Sequence, residues 1–549
     1  MRLSLYHKRP PDRQAKDDRP IVNHTHAATP CRLYACFAQP SVKRARRTTR
    51  PTGRCWSWTN LDQTTSYVPP DLLFRGEEKL LEDMPANPTP LDYFKLYFTD
   101  DVLDLLVVET NRYAEQYIQR NVVPPHSPVQ NWTPTEKNEM LAFLGLTVLM
   151  GIVYKPRLAM YWSTDLVYKT TIFGDTMARD RFLLLLRFLH FADNDCLDAT
   201  DPNRDRLHKI RTFVNLIRAR CAEVYSPSKD VCVDESLVLF KGRVAFKQFI
   251  RSKRARFGIK LFELCTSNGI LLDFLIYHGK MSEELMSDPT HDFQISERIP
   301  LTLMNKYLNK GHRLFLDNYY TTPTLALHLM KNGTKLVGTV RPNRRQFPRD
   351  LANADISRGE SKFALSDTGV LAIKYRALQD KSNNKLKVVC LVSTDHADTV
   401  AASAKKDKDG NDIVKPTCVL DYNRSMGGVD LMDQQLESLL VIRKAYKWYK
   451  KLFFRFMLQC LLSAHRLYKL GGGREDFLKF LHDVVTQLLT FAPRLNPTAT
   501  TLDSIARLIG RNHFPSKRPY EGRGGHRASR KKICRVLCAW HTHCDGRAR

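Results

Sequence analysis

Apolar and polar positions repeat along this chain with two different periods. In TPLDYFKLYFTDDVLDLLVVETNRYAEQYI and TPTEKNEMLAFLGLTVLM, apolar residues recur three and four positions apart, as along one helix face. Thr99 is placed to cap a helix with Asp100 and Asp101 in its first turn. Thr133 followed by Pro134 opens another. ARDRFLLLLRFLHF continues the pattern, and together these runs predict a helical bundle over residues 89–225. The period then changes. VCVDESLVLF, FGIKLFELCT and ILLDFLIYHG are short, rich in Val, Ile, Leu and Phe, and broken by polar or Gly-containing segments, which predicts strands. A helix at LTLMNKYLNK, a strand at HRLFLDN, a helix TPTLALHLMKNG ending at Gly333 and a strand LVGTV follow. That alternation predicts an α/β fold with a mixed sheet. Residues 341–415 are more polar, carry strand-like VLAIKYRA and LKVVCLVST, and read as a β-rich insertion. VDLMDQQLESLLVIRKAYKWYKKLFFRF reads as helix, buried around Leu452 to Leu462, with Gly471–Gly473 ending it. Residues 1–88 have no sustained period and read as a flexible arm.

Charge sharpens this outline. The chain of 549 residues carries a formal net charge of +29. Residues 1–56 hold 13 Lys and Arg against 3 Asp, and residues 511–549 hold 11 against 2 acids. Basic tails on a folded middle suit a polyanion, to which they add salt-sensitive, sequence-independent attraction. MRLSLYHKRPP lacks the apolar run of a secretory signal. Met140–Tyr154, the longest uncharged stretch at 15 residues, is short for a membrane span. Thirteen irregularly spaced cysteines read as reduced and intracellular. KRARR at Lys43–Arg47 reads either as a nuclear import signal or as a plain basic run.

Against this basic background one stretch stands out. SMGGVDLMDQ puts Asp430 and Asp433 on one helix face just after two glycines, which suggest a turn with little steric restriction. On an ordinary surface helix the pair is a solvated acidic patch. Two more aspartates sit at strands: Asp234 inside VCVDESLVLF and Asp317 at the end of LFLDNYYTT. An Asp closing a strand is often only a turn residue. A carboxylate within an apolar strand is costly unless paired, hydrogen-bonded or metal-bound. Asp234, Asp317 and Asp430 gathered on one sheet would need divalent cations to offset their repulsion, and Mg²⁺ suits such oxygen ligands. Two such ions serve phosphodiester chemistry.

The ordered series YFKLYFTDDVLDLLVVETNRYA, WTPTEKNEMLAFLGLTVLMGI, YWSTD, DRFLLLLRFLHFADN, DESLVLFKGR, FGIKLFEL, FLDNYYTTPTLALHL and DYNRSMGGVDLMDQ resembles a piggyBac-family transposase over about residues 89–470. The resemblance implies a ribonuclease-H-like catalytic domain of the DDE/D type at 226–470, interrupted by the insertion at about 341–415. A helical dimerisation and DNA-binding region at 89–225 would precede it. Basic tails at 1–88 and 471–549 would flank it. It implies catalytic roles for Asp234, Asp317 and Asp430, with Asp433 as the family's additional aspartate. Two Mg²⁺ ions, transposon-end and target DNA, a homodimer, a nuclear setting and no membrane association are implied with them. The implied chemistry cuts one strand, turns the freed 3′ hydroxyl on the opposite strand to form a hairpin, and joins the resolved ends to target DNA at TTAA.

Around these acids, KGRVAFKQFIRSKRARFGIK supplies Lys241, Arg243, Lys253, Arg254 and Lys260, and VRPNRR supplies Arg341 and Arg344. Such runs are commonly solvated faces. Beside a phosphodiester site they would track the DNA backbone. The family has prolines where this chain reads IRSKRAR. The last residues offer Cys534, Cys538, His541 and Cys544 as Zn²⁺ ligands, or a remnant of the longer cysteine-rich domain that related transposases carry. The chain thus reads as a DNA transposase. The alternatives are a domesticated or decayed relative that binds DNA without transposing, and a free-standing nuclease, which would leave the motif order unexplained.

Overall fold

The computed structural model describes residues 56–61, 67–196, 200–201, 204–251, 256–279, 285, 293–377, 388–406, 410–439, 441 and 447–492. Its first helix, Pro90–Lys95, is opened by a reciprocal cap: the Thr89 hydroxyl accepts from the Asp92 N–H, and the Asp92 carboxylate accepts from the Thr89 N–H at 2.8 Å. Asp100–Arg120 follows with Asp100 and Asp101 in its first turn, and Thr99 occupies the cap position without a side-chain bond. The next helix, Lys137–Ile152, begins three residues later than Pro134. Other side chains hold the residues before it. Arg181 donates to the Thr133 carbonyl at 2.7 Å, and Asn111 bonds both the N–H and the C=O of Thr135, at 2.8 and 2.9 Å. The backbone groups that a first helical turn would use are therefore already taken.

Lys137–Ile152 is apolar nearly all round and packs against Phe477–Leu489, as a core helix does. Among the described residues no helix is long and apolar enough to cross a membrane. Trp448–Leu470 runs between the helices and the sheet, with Gly471 following it. Phe191 and Phe213 stand 4.8 and 5.0 Å from Phe453, ring centre to ring centre. One apolar core thereby joins the helices to the sheet.

The described residues form a ten-stranded mixed sheet. At its centre Asp230–Leu239 runs parallel to Arg313–Leu316, which runs parallel to Lys335–Val340. Helices Ile295–Met304 and Pro323–Lys331 precede the second and third of these strands, as parallel crossovers require. On one side Phe257–Thr266 and then Leu271–Ile276 continue antiparallel. On the other side Val388–Ser393, Leu371–Arg376 and Ser361–Ser366 continue antiparallel from Lys335–Val340. Three strands of the expected insertion are thus bonded into the main sheet, while Val400–Lys406 and Asp412–Pro416 pair only with each other in a separate two-stranded sheet. Trp58–Leu61, from the segment expected to be an arm, pairs with Ser361–Ser366 at its edge.

The single helix read from Val429 into Phe456 is two, Gly428–Glu437 and Trp448–Leu470. Ser438 caps the first. Leu439 and Val441 then turn inward and are buried, with Val441 packed where Gly151 leaves room.

Candidate active site

Strand register brings the first two aspartates together. Val233 pairs with Leu316 in the parallel ladder, so the next residues on the two chains, Asp234 and Asp317, emerge side by side. Asp317 Oδ1 accepts from the Tyr319 N–H at 2.7 Å, and its own carbonyl accepts from Thr321. Burial, with Glu235 nearby, raises the Asp317 carboxyl above its ordinary value, while Arg341 and Lys260 pull the other way. Asp234 Oδ1 accepts from the Glu235 N–H at 2.8 Å. Even-numbered residues of this strand face the helix Gly428–Glu437: Cys232 lies under its start, and Ser236 Oγ donates to Asp433 at 3.0 Å. By the same alternation Asp234 belongs to that face.

Asp430 sits in the first turn of this helix, exposed, where the helix dipole favours an anion. The Cys232 thiol beneath is pushed up to about 12 by burial, and it feels the charge of both Asp234 and Asp430. The glycine pair has a reason that its turn-like appearance concealed. A Cβ on Gly428 would lie 2.1 Å from the Thr266 carbonyl oxygen and 2.8 Å from Cys232 Sγ, whereas one on Gly427 meets nothing within 4 Å. Gly428 lets the helix lie directly on the sheet. Asp433, one turn on from Asp430, is bound by Arg455 as well as by Ser236. The two acids of SMGGVDLMDQ therefore sit differently: Asp430 is exposed in the first turn, and Asp433 is ion-paired to Arg455.

Sequence reasoning missed the polar groups behind these acids. Glu263 lies directly across the antiparallel ladder from Asp234 and is fully buried. Its Oε1 accepts from Gln459 Nε2 at 2.7 Å. Burial pushes its carboxyl up to about 7, against the pull of Arg455. Arg455 and Gln459 are one turn apart on Trp448–Leu470. Two polar residues four apart in the apolar run KLFFRFMLQC were the available signal.

The basic candidates divide. Lys241 and Arg243 are exposed just after the Asp234 strand. Lys260 is engaged within the protein: its Nζ lies over the Phe262 and Tyr319 rings, 4.6 and 5.0 Å from their centres, and 3.9 Å from Glu235. Arg341 Nε donates to Asn318 Oδ1 at 3.1 Å, and Arg344 donates to the carbonyls of Asn318 and Tyr319 at 3.0 and 2.6 Å. Both brace the loop that follows Asp317. Lys253, Arg254, Cys534, Cys538, His541 and Cys544 lie outside the described residues. Trp448 and Tyr449, in the basic run that opens the last long helix, are packing residues: Tyr449 is buried and Trp448 stands edge-on to Phe246 at 5.3 Å.

Whether the site suits a divalent cation is a question of donors and of their gathering. Asp234, Asp317 and Asp430 offer only carboxylate oxygens, the donors that Mg²⁺ prefers. Among the described residues no three His, Cys, Asp or Glu side chains already converge as a ready-made metal group. The donor chemistry fits, and the two strand aspartates are adjacent. The third candidate, Asp430, stands in the first turn of the helix packed on the Asp234 strand.

On a mixed α/β sheet Asp234, inside one parallel strand, stands beside Asp317, just past the end of the next, and the chain's class, the DDE transposases, follows from the family comparison. Residues 89–465 match the family model described as Transposase IS4. More particularly, the chain belongs to the piggyBac transposase family. It is 26% identical over 459 residues to PiggyBac transposable element-derived protein 2 of Homo sapiens, covering 80% of this chain and 71% of that one. It is 28% identical over 414 residues to PiggyBac transposable element-derived protein 3 of Homo sapiens, covering 73% of this chain and 65% of the relative, just under two thirds of its length. Its fold is similar to that in the cryo-EM structure of the piggyBac transposase synaptic complex with hairpin DNA. That match has a TM-score of 0.64 and 24% identity, over 80% of this chain and 89% of that chain.

Proposed function

We propose that this protein is a DNA transposase whose catalytic acids are Asp234, Asp317 and Asp430. The observation that carries the reading is the parallel register that leaves Asp234 beside Asp317, under the helix that bears Asp430. The ribonuclease-H-like reading of residues 226–470 is supported by the central strand order, two antiparallel strands followed by three parallel ones. Transposon-end and target DNA as substrates, a homodimer and a nuclear setting belong to the same proposal. They are supported by family membership and by the basic tails.

In the first step a water oxygen bonds to the scissile phosphorus, the bond to the 3′ oxygen breaks, and that oxygen takes up the proton. In the second the 3′ hydroxyl oxygen attacks a phosphodiester of the opposite strand, closing a hairpin, and the departing oxygen takes the proton. Asp234, Asp317 and Asp430 would hold Mg²⁺, which when bound supplies Lewis-acid stabilisation and a better nucleophile at neutral pH. The protein's own part is to hold these acids in place. Arg341 and Arg344 fix the loop after Asp317, Gly428 sets the height of Asp430 over the sheet, and Arg455 neutralises Asp433.

A second reading, a DNA-binding protein that no longer transposes, is favoured by the similarity to the transposable element-derived proteins of Homo sapiens. An excision assay in cells separates the two. A reporter flanked by the terminal repeats nearest the coding sequence is excised by the wild type and by none of Asp234→Asn, Asp317→Asn and Asp430→Asn. Excision surviving in all three overturns the assignment of these acids. A wild type that binds the repeats without excising them establishes the second reading.

A further inference from the structure

Between the Asp234 strand and its antiparallel neighbour the chain makes a hairpin of unusual composition. FKGRVAFKQFIRSKRARFGIKLF, residues 240–262, contains eight Lys and Arg and no acid. Gln248–Phe249 pairs back onto Phe257–Gly258, and the Ile250 N–H donates to the Arg256 carbonyl at 2.9 Å. Phe249 and Phe257 are directly opposed, with ring centres 4.8 Å apart. The two rings are 56% and 45% exposed. Isolated exposed apolar residues need no explanation, but two adjoining Phe rings on a wholly basic hairpin are a different surface.

The hairpin is firmly seated. Phe246 is buried against Trp448, and Lys247 Nζ donates to the Gly242 carbonyl at 3.1 Å while lying 6.0 Å from the centre of the Phe257 ring. Gly258 passes so close to the Asp234 strand that a Cβ there would lie 2.3 Å from the Val238 carbonyl oxygen. The rings therefore stand on a rigid support. Lys241, Arg243, Arg251 and Arg256 are exposed around them.

We infer that Phe249 and Phe257 form a stacking platform for unpaired nucleobases, with the surrounding Lys and Arg side chains holding the phosphates of the same strand. Charge selects the occupant: a hairpin without acids suits a polyanion, and exposed aromatic faces among basic groups are the surface that binds single-stranded nucleic acid. Phe257 is six residues along its strand from Glu263, the partner of Asp234, so the platform lies about 20 Å from the acids. That is the reach of about six stacked nucleotides. The occupant is thus a frayed or single-stranded segment flanking the scissile phosphate. This inference rests on the DNA-processing reading above.

The test uses the full-length protein, fluorescence anisotropy and two DNA probes. One is a blunt duplex; the other is the same duplex with a single-stranded overhang carrying 2-aminopurine. The wild type should bind the overhang probe about tenfold more tightly and change the emission of the 2-aminopurine, since stacking on an aromatic is worth that much per base. Phe249→Leu/Phe257→Leu keeps an apolar cross-strand pair and should lose the preference while binding the blunt duplex as before. Phe249→Tyr/Phe257→Tyr should restore the preference. Equal binding of both probes by the wild type, or a preference that persists in the Leu variant, overturns the platform and leaves the DNA reading standing. A wild type that binds neither probe overturns both.

Discussion

Glu263 is the residue whose cost most needs explaining. A carboxyl in the fully buried middle of a strand loses its hydration, and one hydrogen bond from Gln459 compensates only in part. The folded chain therefore holds a proton there that the unfolded chain releases at the ordinary value of 4.5. Stability from this group is full below pH 4.5 and is lost as the pH rises through about 7. Glu263→Gln keeps the acceptor oxygen and removes the titration. Urea unfolding at pH 5 and pH 7.5 should show the wild type losing stability between the two and the Gln variant losing less. Equal losses in both would place the titrating group elsewhere. Arg455 belongs to the same account. It is ion-paired to Asp433 and its charge also acts on Glu263, so that a basic group stands behind the acids.

Among the elements, the helix Gly428–Glu437 matters most, because its height over the sheet decides where Asp430 stands. Gly428→Ala forces a Cβ against the Thr266 carbonyl and Cys232, both part of the sheet. The helix must shift, at a cost of about 1–3 kcal/mol for overpacking. Gly427→Ala meets open space and should be silent. Melting temperature and excision measured on both variants check this: the first falls in each, the second in neither. A Gly428→Ala protein with wild-type stability and excision would show that the helix does not depend on this contact. The neighbouring element, the loop after Asp317, is held from outside by Arg341 and Arg344. Those arginines brace the loop beside an acid, a part that the sequence reading of them as phosphate contacts did not include.

For the whole molecule the governing quantity is charge. The net charge of +29 is concentrated at the ends, with 13 basic against 3 acidic residues in 1–56 and 11 against 2 in 511–549. Each phosphate neutralised contributes about −0.9 to the slope of log affinity against log salt. Removing residues 1–55 and 511–549 should therefore leave duplex binding weaker at low salt and its salt slope shallower. Titrations of one duplex at several salt concentrations measure this. Identical slopes would mean that the tails stay off the DNA and that the folded middle carries the electrostatic attraction.

What the sequence determined by itself was local or compositional. Period placed the strands that carry Asp234 and lead to Asp317 and helices such as Asp100–Arg120 and Pro323–Lys331, because the side-chain repeat of an element is written in consecutive residues; it left His208–Glu223 and Phe477–Leu489 unread and merged Gly428–Glu437 with Trp448–Leu470. The run FLDN at the end of an apolar strand marked Asp317, and the ordered motifs marked the family. What only the tertiary structure decided depends on residues far apart in the chain. The start of Lys137–Ile152 is set by Arg181 and Asn111, whose side chains take the backbone groups before it. The need for Gly428 arises from Thr266 and Cys232 on two different strands. The setting of Glu263, Gln459 and Arg455 behind the acids exists only once Trp448–Leu470 lies on the sheet. Periodicity reports which face of an element is apolar. It cannot report which atoms will meet that face, and at this site those meetings decide which carboxylate is ion-paired and which is buried and holds its proton.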